Sequence, residues 1–151
     1  MAKTADPAER AEQAQQNISE DELRLLFDNM ISPFSYFKMV YNAEGRAIDY
    51  VFLAVNKAFE QDAGIKREHV IGKNALSLFP QTEQYWLECF ERVAKTGEPE
   101  HISQDACALG KWYNGLAYRT KPDYVAITVS DISQFMIERE ALRNTTEQLK
   151  K

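Results

Sequence analysis

The chain has 151 residues, 44% of them hydrophobic, and a net charge of −5, which suits one globular domain with a modest core. Acidic and basic residues are interspersed without a basic stripe, so we expect no nucleic-acid partner. No apolar run approaches the ~18 residues that span a bilayer, and the N-terminus lacks the apolar core of a signal peptide, so we expect no membrane segment and a cytoplasmic setting.

The N-terminal part is predicted to be helical before the first strand. Asp6 followed by Pro7 is a typical helix start, but the Ala/Glu/Gln-rich stretch behind it has almost nothing apolar to bury. We therefore expect a helical or disordered linker over residues 1–18. A sharper start follows where Ser19 can cap the amide of Glu22, and a flanking helix is predicted over residues 19–31. Pro33 ends it, because proline disfavours helix in the preceding residue.

A hairpin and a set of helices are predicted next. Two runs rich in strand formers, Phe34 to Tyr41 and Ala47 to Val55, are separated by a turn signal. Asn56 then caps a short helix, which Gly64 ends. After short, broken elements, a longer helix is predicted from Thr82 to Thr96, because its apolar residues recur at helical spacing.

Three strands are predicted to close the domain, over residues 100–109, 112–120 and 124–130, with a tight turn at Gly110-Lys111. Two strands, then helices, then three strands predict an α+β fold with helices on one face of an antiparallel sheet. The last strand runs into a predicted N-cap at Asp131, with Gln134 placed to complete a capping box. The helical pattern continues to Lys151 without a stop signal, which leaves open whether the chain is a fragment.

Four segments make residues 27–134 resemble a PAS domain, the sensor module of histidine kinases, diguanylate cyclases and many transcription regulators. They are Asn42-Ala43-Glu44-Gly45-Arg46, the strand-to-helix passage from Tyr50 to Glu60 with its core Val55-Asn56-Lys57-Ala58-Phe59, Val70-Ile71-Gly72-Lys73 and Asp131-Ile132-Ser133. Their order and spacing carry the likeness. It implies a five-stranded antiparallel sheet with helices on one face, around a small cavity. It also implies flanking helices that form a homodimer and connect to an effector domain.

This resemblance divides the chain into the linker, a PAS-like sensor domain over 19–133 and a C-terminal signalling helix over 134–151. The expected function is a sensory and dimerisation module of a signal-transduction protein, for example in a two-component system. A small ligand or partner would bind it, and Asp131, Ile132 and Ser133 would relay its state into the C-terminal helix. The alternative is a constitutive protein–protein interaction module without a small ligand.

A ligand pocket would be lined by inward positions of the sheet and of the long helix. The candidates are Phe37, Met39, Phe52, Trp86, Phe90, Leu116 and Ile127. Asn114 and Tyr118 share the strand alternation of Leu116, so they would supply polar contacts if that face looks inward. The same aromatic side chains would equally serve to fill the core and leave nothing to bind.

The cofactor stays unassigned, and none is the favoured expectation. Residues 70–78, where related light sensors carry their reactive cysteine, contain no cysteine, and the long helix has no histidine. A covalent flavin adduct and haem are thus disfavoured, whereas a non-covalent flavin stays open. Cys89 and Cys107 lack CxxC spacing and are not paired with His69 or His101, so no metal site is expected. No nucleophile or acid–base pair stands out, and we expect no enzymatic activity.

Overall fold

A computed structural model describes residues 6–106 and 111–149 of the chain. Its helices are α1 (Pro7–Gln16), α2 (Glu20–Asp28), α3 (Lys57–Ala63), α4 (Ala75–Leu78), α5 (Gln84–Thr96) and α6 (Ser133–Leu149). Its strands are β1 (Phe34–Tyr41), β2 (Ala47–Val55), β3 (Glu100–Ala106), β4 (Lys111–Lys121) and β5 (Tyr124–Asp131), and a 3₁₀ turn at Arg67–His69 follows α3. Cys107 and the turn predicted at Gly110-Lys111 fall wholly or partly outside the described residues, as do both ends of the chain. The division into linker, sensor domain and signalling helix stays a prediction.

The five strands form one antiparallel sheet in the order β2-β1-β5-β4-β3. This confirms the predicted fold class, an α+β fold with a five-stranded antiparallel sheet. The last strand of the chain is therefore the central one, hydrogen-bonded to β1 on one side and to β4 on the other. Since α6 follows β5 directly, the C-terminal helix starts from the middle of the sheet.

The core lies between the sheet and α5, which contacts β1, β2, β4 and β5. Phe37 of β1 is nearly inaccessible, and its ring centroid lies 4.8 Å from that of Phe90 on α5 and 4.3 Å from that of Tyr50 on β2. Such tilted aromatic contacts add to the stabilisation that comes from burying the rings. Residues Val93 and Ile127 complete the contact between helix and sheet.

Local signals in the sequence set several of the helix ends. The Ser19 hydroxyl accepts a hydrogen bond from the Glu22 amide at 3.1 Å, and Asn56 Oδ1 accepts one from the Phe59 amide at 3.0 Å, so both predicted caps are confirmed. Gly97 ends α5 in the left-handed conformation with φ 80°, where a residue with a Cβ atom is disfavoured. Helix α5 begins two residues later than predicted, at Gln84.

The flanking helices α1, α2 and α6 bury none of their described residues. Leu26 of α2 is 62% exposed and Leu142 of α6 is 69% exposed. Within the described part of the chain, no helix has the length and apolar character needed to cross a membrane. Most apolar side chains of α2 and α6 therefore face away from the core of their own domain, although the Phe27 ring of α2 packs edge-on against Phe34 with 5.1 Å between the ring centroids.

Candidate functional site

A cavity of about 130 Å³ lies between the sheet and helices α3 and α5. Five of the nine predicted pocket residues line it: Phe37, Phe52, Trp86, Phe90 and Ile127. The alternation of β1, β2 and β5 and the helical spacing of α5 point these side chains to the same side. The aromatic residues do not fill the space completely.

Met39 does not line the cavity, although it was predicted to. It is buried in the core and shares the face of Phe37, but it lies two residues nearer the β1–β2 turn. Tyr50, which the sequence analysis left out, lines the cavity beside Phe52. Its position two residues before Phe52 on β2 is the signal that would have found it. Burial first, and then the nearby Asp49, raises the pKa of its phenol.

The prediction of which β4 side chains face the cavity was wrong by one residue. Asn114 is exposed, and Leu116 and Tyr118 are half-buried and lie outside the cavity lining. The inward residues are Tyr113 and Ala117, both nearly inaccessible. The ladder with β5 explains this phase, because Ala117 pairs with the inward-facing Ile127 and directly opposed residues share a face.

Polar groups line the cavity beside its aromatic wall. The Tyr113 hydroxyl donates a hydrogen bond to Asp62 Oδ2 of α3 at 2.7 Å. Burial, and then the contact with Asp62, raises the pKa of Tyr113 well above its usual value, so the phenol keeps its proton. Trp86 Nε1 donates to Glu83 Oε2 at 2.9 Å. Asp62 gives no sequence signal, because only the packing of α3 against the sheet brings it here.

The strand-to-helix junction is held by the backbone of Trp112 on β4. The Ile132 amide donates to the Trp112 carbonyl at 2.8 Å, and the Trp112 amide donates to Ser133 Oγ at 2.8 Å. The Asp131 side chain accepts from the Ser133 amide at 2.9 Å. The three predicted relay residues thus all take part in hydrogen bonds where α6 begins.

The capping box predicted at this junction was wrong, because α6 begins one residue later than an N-cap at Asp131 requires. Asp131 is still a strand residue, paired with Tyr113 in the β4–β5 ladder, so it cannot be the N-cap of a helix that begins at Ser133. Its carboxylate accepts from the first helical residue instead. Gln134 Nε2 donates to Glu138 Oε1 at 3.2 Å. Tyr113 consequently touches both features, with its hydroxyl at the cavity and its backbone beside Asp131.

A second polar cluster ties the N-terminal flanking helix to α3. Arg67 Nη2 lies 2.6 Å from Asp28 Oδ1 of α2 and 3.3 Å from Glu60 Oε1 of α3. The hydrogen bond to Asp28 is the largest influence that raises the pKa of Arg67. Since α3 also carries Phe59 and Asp62 of the cavity wall, α2 is attached to an element of the pocket.

The described residues contain no group of three or more metal-ligating side chains. His69 and His101 are exposed. Cys89 is buried, and burial first, followed by the neighbouring Glu100, raises the pKa of its thiol to about 11. A protonated, inaccessible thiol is a poor nucleophile.

Neither a protein-family profile nor a characterised protein sequence matches the chain, but solved structures do. A sensory box sensor histidine kinase from Vibrio cholerae is similar with a TM-score of 0.54 and 18% identity, over 83% of this chain and 98% of that one. The PAS domain of an HTR-like protein from Haloarcula marismortui gives 0.51 and 14%, over 83% and 99%. An RNA-binding Light-Oxygen-Voltage receptor gives 0.55 and 13%, over 99% of this chain and 41% of that one. At these identities the likeness establishes the fold: the chain has the PAS fold, as its sequence predicted.

Proposed function

We propose that the chain is a cytoplasmic sensory module of a signal-transduction protein, in which a small molecule in the cavity changes how α6 packs on the sheet. The proposed role is binding and relay, without catalysis. The observation that carries it is the position of Tyr113, whose hydroxyl bonds to Asp62 in the cavity wall while its backbone pairs with Asp131. Similarity in fold to PAS domains of sensor proteins supports the same role.

The relay would work through β4. A ligand that displaces the Tyr113 phenol or the Asp62 carboxylate acts on the end of β4 that holds the start of α6. The neighbouring residue, Trp112, supplies both backbone groups that bind Ile132 and Ser133. A ligand can shift this packing only as far as it binds one arrangement more tightly than the other.

The exposed face of α6 supports a homodimer as part of the proposal. Phe135, Leu142 and Leu149 lie seven residues apart and are 60–81% exposed. One apolar position of a heptad is therefore kept, which is the pattern of a partial coiled-coil seam. Arg139 and Thr146 occupy the second position. An effector domain connected to α6 would receive the change in helix packing.

The second candidate is a constitutive interaction module, and the exposed face of α2 favours it. Leu23 and Leu26 lie three residues apart on one side of this short helix and are 52% and 62% exposed, which together make an apolar surface that suits a partner. Such a face serves a partner whether or not the cavity is occupied. The two candidates therefore differ in whether the state of the cavity reaches α6.

The two tryptophans of the chain allow this difference to be measured, because Trp86 lines the cavity and Trp112 lies at the junction. We would label the full chain with 5-fluorotryptophan and record ¹⁹F NMR spectra, assigning the signals with Trp112→Phe. Ala63→Leu would serve as a built-in ligand, since Ala63 lines the cavity and the larger side chain occupies part of it. The expected result is a shift of the Trp112 signal together with that of Trp86.

The matched control is Ala14→Leu, the same substitution on the exposed surface of α1. It should leave both signals where they are. If Ala63→Leu moves the Trp86 signal while that of Trp112 stays fixed, the cavity is not coupled to the junction. The constitutive interaction module would then be the better account.

A further inference from the structure

Two hydroxyl groups in the wall of the cavity have no hydrogen-bond partner among the described residues. They belong to Ser35 of β1 and Tyr50 of β2, which both line the cavity and are 6% and 7% exposed. Buried hydroxyls normally find a partner, because leaving one unpaired costs free energy. A molecule that enters the cavity can supply the missing partner.

The oxygen atoms of these two hydroxyls are open to the cavity and not sealed in the core. In the described part of the chain, the side-chain oxygen that is both fully enclosed and unpaired belongs to Tyr41, which lies outside the cavity lining. The unpaired oxygens of Ser35 and Tyr50 therefore keep some accessible surface. Since both side chains line the cavity and are more than nine-tenths buried, a partner reaches them from the cavity.

Other polar side chains of the wall already have partners within the protein. The Tyr113 hydroxyl donates to Asp62, and Trp86 Nε1 donates to Glu83. The Thr82 hydroxyl donates to a backbone carbonyl at 2.7 Å. A ligand that took one of these donors would first have to break an existing hydrogen bond, whereas a bond to either unpaired hydroxyl is an additional one.

The chemistry of the two hydroxyls favours an acceptor on the ligand. Burial, and then the nearby Asp49, raises the pKa of Tyr50, so its phenol keeps the proton and donates. The Tyr50 ring centroid lies 4.3 Å from that of Phe37 and 5.3 Å from that of Phe90, and these contacts restrict its orientation. The Ser35 hydroxyl rotates and can donate as well. One acceptor atom on the ligand thus suits either hydroxyl.

The volume and the wall limit the shape of the occupant. An apolar cavity of about 150 Å³ holds one benzene molecule, and the cavity here measures about 130 Å³. Half of the sixteen described residues that line it are aromatic, and aromatic side chains pack well against another ring. We infer that the cavity takes a molecule of about one aromatic ring that carries a hydrogen-bond acceptor, bonded to the hydroxyl of Tyr50 or of Ser35. This inference rests on the proposed function, because it names the ligand class of the same cavity.

Benzene and pyridine test the ligand class, because they have nearly the same shape and only pyridine carries an acceptor. The full chain, labelled with 5-fluorotryptophan, would be titrated with each probe at a pH at which pyridine is uncharged. The ¹⁹F signal of Trp86, which lines the cavity, would give the two dissociation constants. Tyr50→Phe or Ser35→Ala should weaken the binding of pyridine by about threefold or more and change that of benzene much less. Both variants affecting the two probes equally, or no binding of either probe, would overturn the inference.

The matched control is Tyr124→Phe, the same substitution at a half-buried tyrosine of β5 outside the cavity lining. It should leave both dissociation constants unchanged. Binding of benzene by Tyr50→Phe shows that the cavity is intact, so that weaker binding of pyridine reports the lost hydroxyl and not a lost fold. The Trp112 signal tests the relay separately. A bound probe that leaves this signal in place contradicts the relay alone, and Ala63→Leu still tests the relay if the ligand class is wrong.

Discussion

Replacing the buried Asn56 with alanine should lower the free energy of unfolding by about 3 kcal/mol. The Asn56 side chain is completely inaccessible and makes three hydrogen bonds of 3.0 Å each. Its Oδ1 accepts from the amides of Phe34 and Phe59, and its Nδ2 donates to the carbonyl of Ser32. One side chain thereby joins the start of β1, the start of α3 and the segment before β1.

The magnitude follows from these three bonds. A hydrogen bond within a protein contributes about 1 kcal/mol net, and an amide left buried without a partner costs about 1–3 kcal/mol. The N-cap contact to Phe59 alone accounts for about 1 kcal/mol. The Ser32 carbonyl contributes least to the loss, because Ser32 is only half-buried and water can replace the asparagine there.

Urea denaturation followed by circular dichroism would measure the effect. With a slope of about 2 kcal/mol per molar urea, the midpoint should fall by about 1.5 M. Asn56→Asp keeps both acceptor contacts but places a second acceptor oxygen beside the Ser32 carbonyl, so its loss of stability should grow as the pH rises and the buried carboxyl ionises. Asn29→Ala is the matched control, since exposed Asn29 makes one hydrogen bond, to the Leu25 carbonyl, and should cost about 0.5 kcal/mol or less. A loss for Asn56→Ala no larger than that of Asn29→Ala would refute the reasoning.

Three further changes test other parts of the structure. Gly115→Ala should cost about 1–3 kcal/mol in urea denaturation, because a Cβ atom there would lie 2.1 Å from the Thr128 carbonyl oxygen. Burial would raise the pKa of Glu91, but the Ala47 amide and nearby cations hold it below its usual value. Glu91 therefore stabilises the fold above its unfolded pKa and loses this contribution as the pH falls through the folded value, so Glu91→Gln should flatten the loss of stability measured below about pH 4.3. Leu142→Glu should convert the proposed dimer into a monomer by light scattering, and an unchanged mass would exclude this seam.

The parts of the fold that the sequence predicted rest on local chemistry. Ser19 and Asn56 are caps with the acceptor atoms that the first turn of a helix needs, and Gly97 ends α5 because it tolerates positive φ. The order of strands and helices, together with the segments that resemble PAS domains, predicted the five-stranded antiparallel sheet. Each of these features depends on residues that are close together in the chain, so it can be identified from a single sequence.

Three of the four residues wrongly placed in the candidate site lie on β4, where the predicted inward face was out of phase by one residue. β4 carries large side chains on both faces, for example Trp112 and Tyr118 on one and Tyr113 on the other, so its alternation alone does not tell which face is inward. The pairing of Ala117 with Ile127 decides it, and that pairing is a contact between distant parts of the chain. Asp62 was missed for the same reason.

If the proposed relay operates, the pairing of Asp131 with Tyr113 couples the start of α6 to β4 more directly than an isolated N-cap would. The start of α6 is fixed to β4 by the two hydrogen bonds of Trp112, which together contribute about 2 kcal/mol. A ligand present at 100 times its dissociation constant stabilises the state that it binds by about 2.7 kcal/mol, which is enough to offset their loss.

Ser133→Ala should then imitate part of the effect of a ligand, because it removes the acceptor of the Trp112 amide. We expect it to move the ¹⁹F signal of Trp112 in the same direction as Ala63→Leu does, while the Trp86 signal stays in place. A Trp112 signal that does not move, or that moves the opposite way, would show that the hydrogen bond between the Trp112 amide and Ser133 does not carry the change. The relay would then have to run through the backbone hydrogen bond between Ile132 and Trp112, or through Arg67 and α2, whose contacts with α3 provide a second connection between the cavity wall and a flanking helix.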